Sequence, residues 1–196
     1  MNVRKLHNDK FDSKKAAKVG LDASLKTSII PDDEVIDLRN LVRDYYYFKD
    51  LQSAIVLKLH AELKVSFPAY QKVFSKITTQ TSLKLLEAYP LAADMLAAPK
   101  DRIVETIRKT ARFGEKYALA KYDAICTAAK DAAVFGRALP SNALRIRLYI
   151  KTYREYQEHL DGILEELHKA VDKLEGTPAY DRIALLQSLR GVGFLS

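Results

Sequence analysis

Residues 149–174, YIKTYREYQEHLDGILEELHKAVDKL, carry the clearest periodicity of the sequence. Aromatic and aliphatic side chains recur there at alternating steps of four and three residues, namely Tyr149, Tyr153, Tyr156, Leu160, Ile163, Leu167, Ala170 and Leu174. This spacing is the a/d seam of a coiled coil. We expect one long helix over residues 141–175, which begins after Pro140 and ends before Gly176 and Pro178.

A second long helix is predicted over residues 32–66. Pro31 and the acids Asp32, Asp33 and Glu34 form a helix start, because proline tolerates the first turn and carboxylates oppose the positive end of the helix dipole. The dipeptide Phe67-Pro68 ends the apolar pattern. At a rise of 1.5 Å per residue such a helix is about 50 Å long. The two long helices pair either within one chain or between two subunits, and the sequence alone leaves both arrangements open.

Three shorter helices are expected between the long ones. They are TSLKLLEAY (81–89), KDRIVETIRKTARF (100–113) and EKYALAKYDAICTAAKDAAVF (115–135), which end at Pro90, Gly114 and Gly136. No run of residues shows the alternation of a strand. The predicted fold class is mainly α, with long antiparallel helices, a coiled coil and a small helical insert.

The composition predicts a cytoplasmic protein that binds polyanions. The 196 residues include 32 Lys and Arg against 25 Asp and Glu, which gives a net charge of +7 and favours nucleic acid as a partner. Cys126 is the single cysteine, so no intrachain disulfide can form. We also expect no membrane partner, because the sequence lacks an apolar signal-peptide core and any run long enough to span a bilayer.

Near the start of the chain, the segment NDKFDSKK (8–15) places two aspartates three residues apart. Asp9 and Asp12 would project from one face of a helix and could hold Mg²⁺ through oxygen ligands. The local pattern alone favours a helix start instead, in which Asn8 or Asp9 caps the helix and Asp12 lies in the first turn. Lys14 and Lys15 would follow on that helix as candidate phosphate contacts.

The C-terminal segment SLRGVGFLS (188–196) contains a glycine-hydrophobe-glycine turn after an apolar helix. Such a turn, here Gly191, Val192 and Gly193, is the centre of a helix-hairpin-helix, whose backbone N–H groups bind a DNA phosphate. Arg190 directly before it would add a cation. The alternative is a turn that merely reverses the chain.

Basic residues are also concentrated in the middle of the chain. Residues 99–160 hold thirteen Lys and Arg against seven Asp and Glu, among them Arg102, Arg108, Lys109, Arg112, Lys116, Lys121, Arg145, Arg147, Lys151 and Arg154. This segment is a plausible nucleic-acid surface, and a solvated charged face is the equal alternative. The four histidines have no zinc-ligand spacing.

Taken in order, several segments resemble one family, the DEDD-type insertion-sequence transposases of the IS one-ten group, kin to the Piv DNA invertases. The matching segments are NDKFDSKKAAKVGL, DLRNLVRDYYYFKDLQSAIVLKLHAEL, FPAYQKVFSKITTQTSLKLLEAYP, the coiled-coil stretch and SLRGVGFLS. The resemblance covers essentially the whole chain. It implies a recombinase with a RuvC-like catalytic domain, a helical coiled-coil insert and a C-terminal domain that contains a helix-hairpin-helix.

The resemblance also implies roles for particular residues. Asp9 and Asp12 correspond to the third and fourth acids of the family's Mg²⁺-binding catalytic set, which reads Asp, Glu, Asp, Asp. By this comparison residues 1–30 are the end of the RuvC-like domain, residues 31–176 the helical coiled-coil region, and residues 177–196 the start of the C-terminal domain. The implied partners are DNA, a structured guide RNA and further copies of the chain.

The sequence also departs from the family pattern. The strands with the first two acids would lie upstream of Met1 and the serine nucleophile beyond Ser196, so we expect a transposase fragment or remnant that does not catalyse DNA transposition alone. Ser188 and Ser196 do not match that nucleophile. The alternative hypothesis is a helical interaction protein without enzymatic activity, which dimerises through residues 141–175 and binds nucleic acid only electrostatically.

Overall fold

The computed structural model describes residues 13–15, 17–18, 32–111, 113–190 and 193–195. The chain from residue 32 onward folds into helices α1 (Asp33–Ser66), α2 (Gln80–Ala88), α3 (Ala92–Ala97), α4 (Lys100–Ala111), α5 (Glu115–Phe135), α6 (Pro140–Asp172) and α7 (Pro178–Gln187), with a 3₁₀ turn at Pro68–Lys72. No strand occurs in the described residues. The mainly α fold class is therefore confirmed, whereas the RuvC-like and helix-hairpin-helix flanks stay predictions.

The two long helices pair with each other inside one chain and run in opposite directions. Near the end of α1, Glu62 contacts Asn142 and Arg145 at the start of α6. Further along, the side-chain amide of Gln52 donates to Oε1 of Gln157 at 3.0 Å. These contacts fix an antiparallel register and decide between the two arrangements that the sequence left open.

Local side chains and backbone geometry explain the helix ends. The Thr79 and Thr177 hydroxyls accept from backbone N–H groups in the first turns of α2 and α7. Gly136 ends α5 where its chain passes close to α1, since a Cβ there would lie 2.7 Å from the Ala132 carbonyl oxygen and 3.1 Å from that of Ser66. Gly176 adopts a φ of 80°, which favours glycine over other residues.

We call residues 57–153 the head. Here the adjoining ends of α1 and α6 are covered by α2–α5 and the 3₁₀ turn, and many side chains lose all contact with water, among them Leu63, Phe67, Tyr70, Leu85, Leu86, Ile103, Ile107, Ala118, Ile125, Ile146 and Ile150. Tyr70 is fully buried and its hydroxyl bonds Ser82, and burial raises the pKa of this phenol. The head therefore has a single continuous core.

We call residues 32–56 and residues 154–174 together the stalk. Leu160, Leu167 and Leu174 are buried there, whereas Tyr156 and Ile163 are half-buried against the partner helix. In the stalk the predicted seam is thus the buried stripe of α6, which is compatible with a coiled coil. In the head the seam residues Tyr149 and Tyr153 are half-buried, whereas Ile150, outside the seam, is fully buried. Helix α7 folds back beside the far end of the stalk.

The predicted helix bounds agree with the structure to within a few residues. Helix α6 ends at Asp172 rather than residue 175, and α4 ends at Ala111 rather than residue 113. The short helix α3 was not predicted, because its six residues AADMLA are fewer than two turns and show no resolvable period. The side chain of Asp94 accepts from the Leu91 backbone N–H and so fixes its start.

Candidate nucleic-acid interface

Helix α4 places a basic face on the surface of the head. Ile103 and Ile107, four residues apart, have no exposed surface and attach the helix to the core. The opposite face carries Arg102, Arg108 and Lys109, all of which are exposed. The apolar period of the helix therefore dictates that these cations face water.

One carboxylate lies among these cations. Glu105 Oε1 is 2.7 Å from Lys109 Nζ, and both side chains are more than half exposed. The hydrogen bond and charge of Lys109 lower the pKa of Glu105, and the charges of Arg102 and Arg108 lower it further. Asp101 is a second exposed acid, in the first turn of α4. With Lys100 the helix carries four exposed cations against these two exposed acids, so its exposed surface is net positive.

An aromatic pair follows directly after α4. Phe113 lies in the turn before α5 with 60% of its surface exposed, and its ring centroid is 4.5 Å from that of Tyr117. Tyr117 is half-buried against the core. Lys116 in the first turn of α5 is exposed. The turn thus combines an exposed ring with cations on both sides.

Lys121 has a different role from the other predicted cations. Its ammonium donates to the Val73 carbonyl oxygen and lies 5.4 Å from the ring centroid of Phe74 and 5.7 Å from that of Tyr117. These cation–π contacts and the hydrogen bond hold α5 against the 3₁₀ region. Lys121 therefore stabilises the packing of the head, although the sequence predicted it to be part of the nucleic-acid surface.

The basic residues of α6 are likewise held by contacts to the protein. Arg145 Nη2 lies 3.0 Å from Glu62 Oε1, and Arg154 Nη1 lies 2.8 Å from Glu87 Oε2. Arg147 donates to the Glu87 carbonyl oxygen at 3.0 Å. Lys151, by contrast, is 72% exposed and pairs only with Glu155 of its own helix, at 3.7 Å. Within the basic segment 99–160, exposed cations are concentrated on α4 and at the start of α5, which we call the α4–α5 surface.

The predicted N-terminal site is described only in part. Lys14 and Lys15 are exposed residues of a helical segment, which agrees with the predicted helix. Asp9 and Asp12 lie outside the described residues, as does Arg112 of the basic segment. No group of three or more His, Cys, Asp and Glu side chains that could hold a metal ion occurs in the described part of the chain. Mg²⁺ binding by Asp9 and Asp12 stays a prediction from the resemblance.

The C-terminal turn lies at the far end of the stalk. Arg190 is exposed, and Gly191 and Val192 are outside the described residues. Gly193 lines an apolar cavity of about 410 Å³ between α1, α6 and α7. Phe194 stacks on His168 with ring centroids 4.2 Å apart, and the Tyr46 hydroxyl donates to the Leu195 carbonyl oxygen at 2.8 Å. The segment 193–195 therefore contacts the stalk, and both the helix-hairpin-helix and the simple turn stay predictions.

Comparisons with known proteins give the chain no relative. No protein-family model matches it, and neither the curated proteins nor the solved structures contain a match. Within the described residues, the helices are all too short or too polar to cross a membrane.

The aromatic pair is the part of the surface that sequence reasoning missed. The segment RFGEKY (112–117) contains its signal, namely a phenylalanine beside a helix-ending glycine with cations before and after it. A phenylalanine at the end of an amphipathic helix is ordinarily expected in the core. Only the fold shows that α4 ends before Phe113 and leaves its ring in water.

Proposed function

We propose that this chain binds nucleic acid through the α4–α5 surface of its head. The observation that carries this proposal is the exposed set of Arg102, Arg108, Lys109 and Lys116, which outnumbers the exposed acids of the same stretch, Asp101, Glu105 and Glu115. Residues 100–121 contain seven basic and three acidic residues, so this short segment supplies more than half of the net charge. Phosphate contacts of this kind dominate the affinity of proteins for nucleic acid.

The more specific proposal is that the chain is the helical portion of a transposase-like DNA recombinase. Its support is the ordered resemblance of five segments, together with the long antiparallel helices that this family's coiled-coil insert implies. On this proposal DNA is one partner and a structured guide RNA is a second partner. The chain alone does not cut DNA. Incubation with Mg²⁺, element-end DNA and guide RNA tests the last point. Cleavage above that of an Asp9→Ala, Asp12→Ala variant contradicts it.

Fluorescence anisotropy with a labelled DNA duplex tests nucleic-acid binding over a series of salt concentrations. We expect log Kd to depend linearly on log salt, because bound phosphates release their counterions. The double variant Arg102→Glu, Arg108→Glu should weaken binding at least tenfold at low salt and reduce the magnitude of the slope by about two.

The matched control for this experiment is Lys58→Glu, Lys64→Glu. Both lysines are exposed on α1 in the head, and the double substitution changes the net charge by the same amount. If the control weakens binding as much as the α4 variant, the interaction follows net charge and the assigned surface is wrong. Absence of binding at low salt overturns the proposed function itself.

Self-association is the second candidate function. It is favoured by exposed apolar residues on the outer surface of the antiparallel helices α1 and α6. Leu57 and Val65 of α1 and Leu144 and Leu148 of α6 are each more than half exposed, and the antiparallel register places them at the same level. The seam residues Leu160 and Leu167 are buried against α1, so substitutions there report on folding. Sedimentation of Leu144→Lys, Leu148→Lys is the appropriate test. A wild-type monomer at high concentration excludes this function.

A further inference from the structure

The exposed ring of Phe113 is an unusual feature of the head. Among the phenylalanines whose side chains are described, it alone is exposed. Among the described residues between 97 and 133, Phe113 is also the only large hydrophobic residue that is exposed. A protein-binding patch would normally contain several neighbouring apolar side chains. A single exposed ring with charged residues before and after it in the chain fits a different kind of partner.

The ring rests on a fixed support. Its neighbour Tyr117 packs against the core of the head, and the Lys121 ammonium lies 5.7 Å from the Tyr117 ring centroid while it is bonded to the Val73 carbonyl oxygen. The Phe113 and Tyr117 rings are inclined by 40° at a centroid separation of 4.5 Å. Phe113 is therefore held from one side by a supported aromatic ring, and little ordering is required when a flat ligand stacks on it.

Cations lie within five residues of this ring along the chain on both sides. Arg108 and Lys109 belong to the last turn of α4, and Lys116 belongs to the first turn of α5. The acids of α4 and the start of α5 are Asp101, Glu105, which is paired with Lys109, and Glu115. A ligand that combines a flat aromatic group with closely attached negative charges would match both parts of the surface.

We propose that Phe113, supported by Tyr117, is a stacking platform for an unpaired base of single-stranded nucleic acid, whose phosphates contact Arg108, Lys109 and Lys116. This inference rests on the proposed function and specifies its substrate. Stacking on an aromatic ring needs an unpaired base, since bases inside a duplex expose only their edges. Single-stranded DNA and single-stranded RNA share this chemistry.

The first test measures the affinity of Phe113→Ala for labelled single strands of about 20 nucleotides and for a duplex of the same length. We expect a loss of about five- to a hundredfold for single strands, since one stacked base contributes about that factor, and an unchanged duplex affinity. Phe113→Tyr should retain binding. Tyr47→Ala is the matched control, because this tyrosine is also 60% exposed but lies on the stalk.

A second test detects the stacked ring directly. The chain contains no tryptophan, so Phe113→Trp introduces a single indole fluorophore at the proposed platform. Its emission should be quenched by single-stranded oligonucleotides and unchanged by the duplex, whereas Tyr47→Trp should respond to neither. Parallel titrations with oligothymidylate and oligouridylate distinguish DNA from RNA as the source of the base.

The outcomes separate this inference from the proposed function. If single strands bind the wild type and Phe113→Ala equally, or if the tryptophan emission does not change on binding, the platform is refuted while nucleic-acid binding stands. An equal loss of duplex affinity in Phe113→Ala also refutes it. If neither single strands nor duplex binds at low salt, both proposals fall. Unchanged circular dichroism and thermal midpoint of each variant establish that the fold is intact.

Discussion

The head and the stalk are built from the same two helices but are stabilised to different degrees. In the head, α1 and α6 are covered by further helices, and Leu63 and Ile146 have no exposed surface. In the stalk α1 and α6 pack on each other, and further neighbours, α7 and residues 193–195, lie only beside their far ends. Tyr45 and Tyr156 remain half-buried there. The comparison shows that a continuous sequence pattern gives unequal burial when the number of neighbouring helices changes.

The largest effect is expected from truncation in the head core. Leu86 of α2 has no exposed surface, so Leu86→Ala should lower the free energy of unfolding by about 2–5 kcal/mol through lost burial and a cavity. Urea denaturation followed by circular dichroism measures this. Leu57→Ala, at a residue 69% exposed, is the control and should change stability by less than about 0.5 kcal/mol. Similar losses in both variants would contradict the assigned core.

A leucine-to-alanine substitution in the stalk should lower the free energy of unfolding by less than one in the head, and its effect should be more local. Leu167 is 1% exposed and lines the cavity between α1, α6 and α7, where the surroundings can partly close, so Leu167→Ala should cost about 2 kcal/mol. Hydrogen exchange with mass spectrometry should show faster exchange in the stalk and unchanged protection in α2–α5. Equal acceleration in both regions would show that the head and stalk unfold as one unit.

The polar pair Gln52–Gln157 tests what fixes the register of the stalk. Gln52 is 4% exposed, and its amide bonds Gln157 at 3.0 Å within an otherwise apolar stripe. A double-mutant cycle with alanine at both positions should give a coupling of about 1 kcal/mol. The exposed pair Lys151–Glu155, at 3.7 Å, should give less than about 0.5 kcal/mol. A coupling free energy near zero between the two glutamines would show that they do not set the register of α1 against α6.

The smallest effect concerns Glu105 in the α4–α5 surface. Glu105→Gln should raise affinity for nucleic acid about twofold at low salt, because it removes the carboxylate among the cations. The control is Glu165→Gln in the stalk, since Glu165 forms a similar pair with Lys169 at 2.9 Å and should not affect binding. Anisotropy titrations measure both variants. Equal gains would show that net charge alone sets the affinity.

The pH dependence of this effect has a defined sign. The pKa of Glu105 is lowered in the fold, so its ion pair with Lys109 is present at neutral pH and is lost as the pH falls through the folded-state pKa. Below that pH the wild-type side chain is neutral, and the advantage of Glu105→Gln should disappear. An advantage that persists at acidic pH would show that the carboxylate charge is not its cause.

The candidate surface was predictable only in outline. The excess of basic residues in 99–160 is evident from the sequence, but Arg145 and Arg154 bind Glu62 and Glu87, which are distant along the chain. Sequence spacing reveals ion pairs within one helix, such as Glu105–Lys109, and not those between helices. The exposure of Phe113 could not be predicted either, because it depends on where α4 ends.

The sequence by itself determined the helices of this protein and most of their ends. Apolar periods of three and four residues, prolines, glycines and first-turn acids act within a few residues of each helix, so local reading is sufficient for them. Only the tertiary structure decided that α1 pairs with α6 in the same chain, and which cations remain exposed. These properties follow from contacts between residues about 60–105 positions apart, such as Glu87–Arg154 and Gln52–Gln157, and no local pattern encodes them.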